Sequence, residues 1–162
     1  MLVPATVYFW QIALAVHIVF VVLAFGIVVA YPFMTLAIDR IDRRAVPAML
    51  RMRRLLARTL VNPGLTVVVI AGVYLAAELH QWHQFYVQWG IGAVLVIGAL
   101  EGMFVIRQSG KLAELAQSEI DATNGDEIVW SEEFVAARGR ADQVNALMAT
   151  LVVVTIFFMV IQ

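Results

Sequence analysis

The chain has 162 residues, 62% of them hydrophobic and 14% charged, with a formal net charge of −1, and its mean hydropathy is +0.87. That is too apolar for an ordinary soluble domain, and a balance this near zero gives no electrostatic footprint for nucleic acid. There is no cysteine, which excludes disulfides, thiolate catalysis, iron–sulfur ligation and cysteine-ligated zinc.

A membrane span needs about 20 apolar residues to cross roughly 30 Å of hydrocarbon. Four stretches qualify: Tyr8 to Leu36, Leu60 to Ala77, Phe85 to Ile106 and Ala141 to Ile161. The first is longer than the minimum and contains Pro32, so it is expected to tilt or project, with a kink near its inner end. The N-terminus lacks the basic region and small-residue cleavage site of a secretory signal, so this stretch is expected to be retained as a span. No formal charge occurs before Asp39, yet His17 stands inside the apolar run from Ile12 to Gly26. A titratable group in that setting is costly and is by default a functional-site hypothesis. Trp10, Leu14, Val21 and Ala24 share its helix face.

All eleven Lys and Arg residues fall in two connections: Arg40, Arg43, Arg44, Arg51, Arg53, Arg54 and Arg58 after the first span, and Arg107, Lys111, Arg138 and Arg140 after the third. An even number of spans puts both connections on one side, which the positive-inside rule makes cytoplasmic. Tyr8, Trp10, Trp82, Phe85, Tyr86 and Trp89 then gather at the outer boundary, where aromatic rings prefer to sit. Pro47 suits a first helical turn. The run from Ala48 to Leu60 reads as a basic amphipathic helix on the inner leaflet, with Arg51, Arg54 and Arg58 on one face, leading into the second span through Asn62-Pro63. Anionic lipid is its expected partner, at about 1 kcal/mol per basic residue.

Glu78 to Gln84 is a short outer connection, so the second and third spans should form an antiparallel hairpin. The third continues past Arg107 as a polar helix through Leu115 and Ser118 and turns at Thr123-Asn124-Gly125-Asp126. Ser131 before Glu132 and Glu133 reads as a helix start with acids in its first turn, running on into the fourth span. The expected fold is all-α: an integral membrane antiparallel four-helix bundle, one domain over 1–162, with cytoplasmic loops 37–59 and 107–140 and both termini outside.

Few residues can carry chemistry. His17 lies about nine residues inward of Tyr8, roughly 14 Å along the axis. It reads either as a histidine cementing the bundle through a carbonyl or hydroxyl on a neighbouring span, or as an axial haem ligand, a proton relay or a quinone contact. Met148 is the candidate partner at similar depth for mixed His/Met haem ligation, and Met103 lies deeper; methionine is also a common apolar filler. Glu101 is the one carboxylate within the four span cores. It is expected in a polar cluster with Asn145, Asn62 and Thr66, with Gly98 and Gly102 allowing close helix approach. There it would be a neutral structural carboxyl, a partner of Arg107, or a proton-passing group. His80 and His83, with Glu78 nearby, have the spacing of a loose metal site in the outer connection.

Met52-Arg53-Arg54-Leu55-Leu56, then Asn62-Pro63-Gly64, then Ala71-Gly72-Val73-Tyr74-Leu75 resemble the first loop and second span of HemJ-type protoporphyrinogen oxidases and related CopD-like membrane proteins. Those families place a histidine in the first span where His17 stands, and the resemblance implies a small four-span, haem-associated enzyme whose site would include His17 and the Arg53-Arg54 pair. Gln88 and Glu101 stand where that family has a basic residue and a further histidine. Over most of its length the chain resembles an uncharacterised family of four-span bacterial integral membrane proteins. The motifs are a proline followed by a small-residue and glycine pair in span two, the Trp89-Gly90 entry to span three, and the final Phe158-Met159-Val160. Three functions remain open: a redox or haem/porphyrin-linked protein of the bacterial inner membrane, with haem or quinone as cofactor; a structural or accessory subunit beside a membrane partner or a second copy; and a small transporter.

Overall fold

The structure, a computed structural model, describes residues 8–123 and 128–161. Among them every regular element is helical, and four helices are long and apolar enough to cross a membrane: Phe9–Ile41, Arg43–Glu78, Phe85–Ala122 and Glu132–Val160. They make this a multi-pass membrane protein by length and composition. The four pack in ring order, each against its sequence neighbours, with the first closing on the fourth.

The first helix runs unbroken through Pro32. Its buried positions, Ala24, Val28, Tyr31 and Thr35, step by four and three, and those of the fourth helix, Ala141, Asn145, Met148, Val152 and Thr155, do the same. That spacing keeps each row on one face of a helix of 3.6 residues per turn. The second and third helices break the rule. Arg53, Ala57, Val61 and Leu65 are buried at successive steps of four, as are Ile97, Glu101, Val105 and Ser109. In a regular α-helix each such step overshoots a full turn by about 40°, so three would carry a row off the core. Both helices hold their row inward by widening into a π segment, Ala57–Val61 and Leu100–Val105. The i−5 bonds are Asn62 N–H to Ala57 O and Ile106 N–H to Glu101 O. Pro63, which has no N–H to give the preceding turn, stands just beyond the first of them. The two π segments pack against each other.

The expected basic helix is present and leads into the second span without a break, but its apolar side packs on the polar continuation of the third helix, 106–122. Val46, Met49, Leu50, Leu112, Ala113, Ala116, Phe134 and Ala141 form a second apolar core there, so much of the expected loops 37–59 and 107–140 is packed helix. An amphipathic stripe buries its apolar side on whichever surface offers it, and here a facing helix does. The expected turn at Thr123-Asn124-Gly125-Asp126 lies mostly outside the described residues. Ser131 does start the fourth helix, its Oγ accepting from Phe134 N–H at 3.1 Å and donating to Glu119. Near the 78–84 connection, Phe85, Trp89 and Phe158 stack their rings, and Trp89 Nε1 donates to Thr155 Oγ1 at 3.2 Å.

Candidate functional site

His17 faces the second helix. Its Nδ1 lies 3.0 Å from the carbonyl oxygen of Val68, which makes Nδ1 the N–H donor and leaves Nε2 as a lone-pair acceptor in the neutral ring. Position 72, one turn on, is glycine, and it eases the contact: a Cβ there would stand 3.2 Å from His17 Cε1, so the ring would have to give by a few tenths of an ångström. The imidazole forms part of the wall of a cavity of about 550 Å³ between all four helices, within the size range of sites for small organic ligands. The remaining wall is aliphatic except at one end, where Gln81 and Tyr86 meet, Tyr86 O–H donating to Gln81 Oε1 at 2.7 Å.

Met148 is not part of this wall. It is fully buried in the main core with Val28, Val94, Ile97 and Val152, and the residues its helix gives the cavity begin at Ile156. Val68 and Val94 belong both to that core and to the cavity wall, so Met148 lies beneath the cavity rather than in its lining. Met103 is exposed on the outer surface of the third helix. His80 lies in the 78–84 connection with φ 56° and its Nδ1 3.1 Å from the carbonyl oxygen of Glu78, two residues back. Among the described residues no three His, Asp or Glu side chains converge as a metal site, so Glu78, His80 and His83 are not assembled into one.

A second polar centre lies about two to four turns closer to the arginine-rich end. Arg53 is 2% exposed, and Tyr31, Glu101 and Asn145 are 0% exposed, one from each helix. Arg53 Nη2 donates to Asn145 Oδ1 at 2.9 Å, and the guanidinium carbon stands 4.9 Å from the centre of the Tyr31 ring. Both Glu101 carboxyl oxygens, the Tyr31 hydroxyl, Arg53 Nε and Asn145 Nδ2 are buried without a hydrogen-bond partner. Glu101 and Asn145 are both fully buried and share Arg53 as a neighbour, and Asn62 Nδ2 would lie 3.6 Å from a Cβ at Gly102, an ordinary contact. Thr66 is outside this centre, exposed and donating back to Asn62 O. The cation beside Glu101 is Arg53; Arg107 is exposed. Arg54 diverges from its neighbour and lies over Gly110, whose missing Cβ would stand 2.7 Å from Arg54 Nη1.

No protein family, curated protein or solved structure matches this chain. The geometry of these two centres therefore carries the functional argument.

The reading of Arg51, Arg54 and Arg58 as a surface row missed that Arg53, between them, is the one turned inward. The signal was present in the spacing: Arg53, Ala57, Val61 and Leu65 repeat every four, as do Ile97, Glu101, Val105 and Ser109. Each polar residue heads or joins an otherwise small and apolar row, which marks it for burial.

Proposed function

We propose that this chain is an antiparallel four-helix bundle of the bacterial inner membrane, both termini outside, that binds a lipophilic redox ring of the quinone class in the cavity beside His17. The observation that carries the reading is an imidazole with one nitrogen fixed on Val68 O and the other free, in the wall of an otherwise aliphatic cavity. A quinol ring is an apolar body with a hydroxyl at either end, and it needs one well-placed acceptor and a greasy enclosure. Nε2 is that acceptor: it takes the hydrogen bond from a ring hydroxyl. Gln81 and Tyr86 supply polar groups at the other end.

Haem suits the same cavity less well. The lining contains one imidazole, with Met159 and Tyr86 as the other side chains able to ligate iron, but no Lys or Arg that would pair with propionates. Orientation rests on the arginines: all eleven cationic side chains lie at one end of the four helices, which the positive-inside rule assigns to the cytoplasm.

The test is chemical. The protein is purified from bacterial membranes in mild detergent, and bound quinone is extracted and quantified per chain. His17→Ala is expected to lose most of the retained quinone, while His80→Ala, in the outer connection, retains it. Equal retention in His17→Ala and the unmutated chain contradicts the reading.

A further inference from the structure

The buried centre around Glu101 is separate from the His17 cavity, and none of its four members lines that cavity. What leads to it is a polar seam between the first and fourth helices. At the exposed end, Arg138 Nη2 pairs with Asp39 Oδ2 at 2.7 Å and reaches Asp142 through Nε at 3.8 Å. One turn further in, the single O–H of Thr35 is shared between Tyr31 O at 3.2 Å and Asp142 Oδ1 at 3.5 Å. Another turn in are Tyr31 and Asn145, which hold Arg53 between them. Asp39, Thr35 and Tyr31 are spaced by four, and Arg138, Asp142 and Asn145 by four and three, so two facing polar stripes descend together for about 12 Å. Apolar residues at those positions would bury more simply, since polar side chains deep in a membrane protein are costly to retain.

At the inner end of the seam stands a carboxyl group with both oxygens unpartnered and no solvent exposure. A charged carboxylate held that way carries a large desolvation cost unless it pairs or takes up a proton. Arg53 is within electrostatic reach but directs Nη2 to Asn145. The two π segments border the pair, and such segments recur at functional sites.

We propose that Glu101 is an internal proton-binding site, loaded from the arginine-rich end along the Asp39–Arg138, Thr35–Asp142 and Tyr31–Asn145 seam. A hydronium ion at the seam's mouth gives its proton to the Glu101 carboxylate; an O–H bond forms there, water is left behind, and Arg53 keeps its charge. Ionised, Glu101 draws the Arg53 guanidinium to itself; protonated, it releases it to Asn145, so the proton is coupled to a side-chain movement between two buried partners. The charged and titratable groups around Glu101 are Arg53 from the second helix, Tyr31 and, further out, Asp39 from the first, and Asp142 and Arg138 from the fourth. On its own helix Arg107 faces outward.

The experiment is infrared difference spectroscopy of the full chain in lipid nanodiscs, stepping the pH. A carboxylic acid without hydrogen-bond partners has a carbonyl band displaced from that of hydrated surface acids. The proposal expects such a band to titrate in the unmutated protein, to shift when glutamate is ¹³C-labelled, to vanish in Glu101→Gln and to persist, moved, in Glu101→Asp. The isotope shift needs no substitution and decides the matter even if Glu101→Gln fails to fold. After a pH jump the band is expected to respond several-fold more slowly in Thr35→Val/Asp142→Leu. A band indifferent to the glutamate label, or one that survives in folded Glu101→Gln, overturns the site; an unchanged response in the seam variant overturns the loading route.

Discussion

Arg53→Met removes one charge from the middle of the protein while keeping a long apolar stem in place. Three interactions go with it. The charge-assisted bond to Asn145 Oδ1, 2.9 Å long, is worth about 1.5–3 kcal/mol. The guanidinium against the Tyr31 ring, 4.9 Å from its centre, adds about 2 kcal/mol when shielded from water. Glu101 is also left without its cation. Together these match the cost of about 3–5 kcal/mol for breaking a buried ion pair by deleting one partner. Glu101→Gln leaves the converse problem, a buried guanidinium without its counter-charge. Removing both charges removes both problems, so Arg53→Met/Glu101→Gln is expected to be more stable than the sum of the single changes by about 1–3 kcal/mol. Reversible unfolding in mixtures of mild detergent and dodecyl sulfate, on the alkaline side of the Glu101 titration where the carboxyl is charged, measures all four members of the cycle. Additivity there within about 0.5 kcal/mol would refute the coupling of Arg53 and Glu101 and with it the account of the buried centre.

Three further outcomes follow from single contacts. Ser131→Ala removes the side chain that caps the fourth helix and holds Glu119; the same unfolding assay should register a loss of about 1 kcal/mol. Gly110→Val sets a branched side chain against Arg54 Nη1, where even a Cβ would lie at 2.7 Å. It should loosen the packing of 46–56 on 106–122, raising amide exchange in those segments while leaving the 62–78 segment protected. Because the chain has no native cysteine, a cysteine at Thr123 reports topology cleanly: a membrane-impermeant maleimide should label it only after cells are opened, and labelling in intact cells would invert the orientation.

Much of the scaffold was legible from composition and spacing. The four apolar runs and the helix start at Ser131 follow from local residue types, and both are present; at Gly98 and Gly102 a Cβ would meet only ordinary contacts, at 3.8 and 3.6 Å, so no close approach depends on them. Less legible were features that depend on what lies across the interface. The segment 46–61 has the stripe of a surface helix, and nothing local distinguishes a lipid leaflet from a facing helix as the cover for that stripe. Arg53 sits in a run of arginines that membrane topology alone explains; its burial depends on Asn145 and Tyr31, on two other helices. The hydrogen bond from His17 to a neighbouring carbonyl was among the expected roles, and it is present. The cavity behind the ring was not foreseeable, since a void is a property of packing rather than of any one residue.

The central claim is that a lipophilic ring occupies the cavity beside His17, and photolabelling tests it most directly. An azido-quinone is irradiated with the protein in nanodiscs, and the adducts are mapped by mass spectrometry. Adducts should fall on the cavity wall, at residues such as Val21, Ile91 and Ile156. They should be displaced by unlabelled quinol and lost in Gly72→Leu, whose side chain would drive His17 from its place. Adducts spread over the lipid-facing surface, such as Val22, Ile70 and Leu95, and unchanged in Gly72→Leu would contradict it.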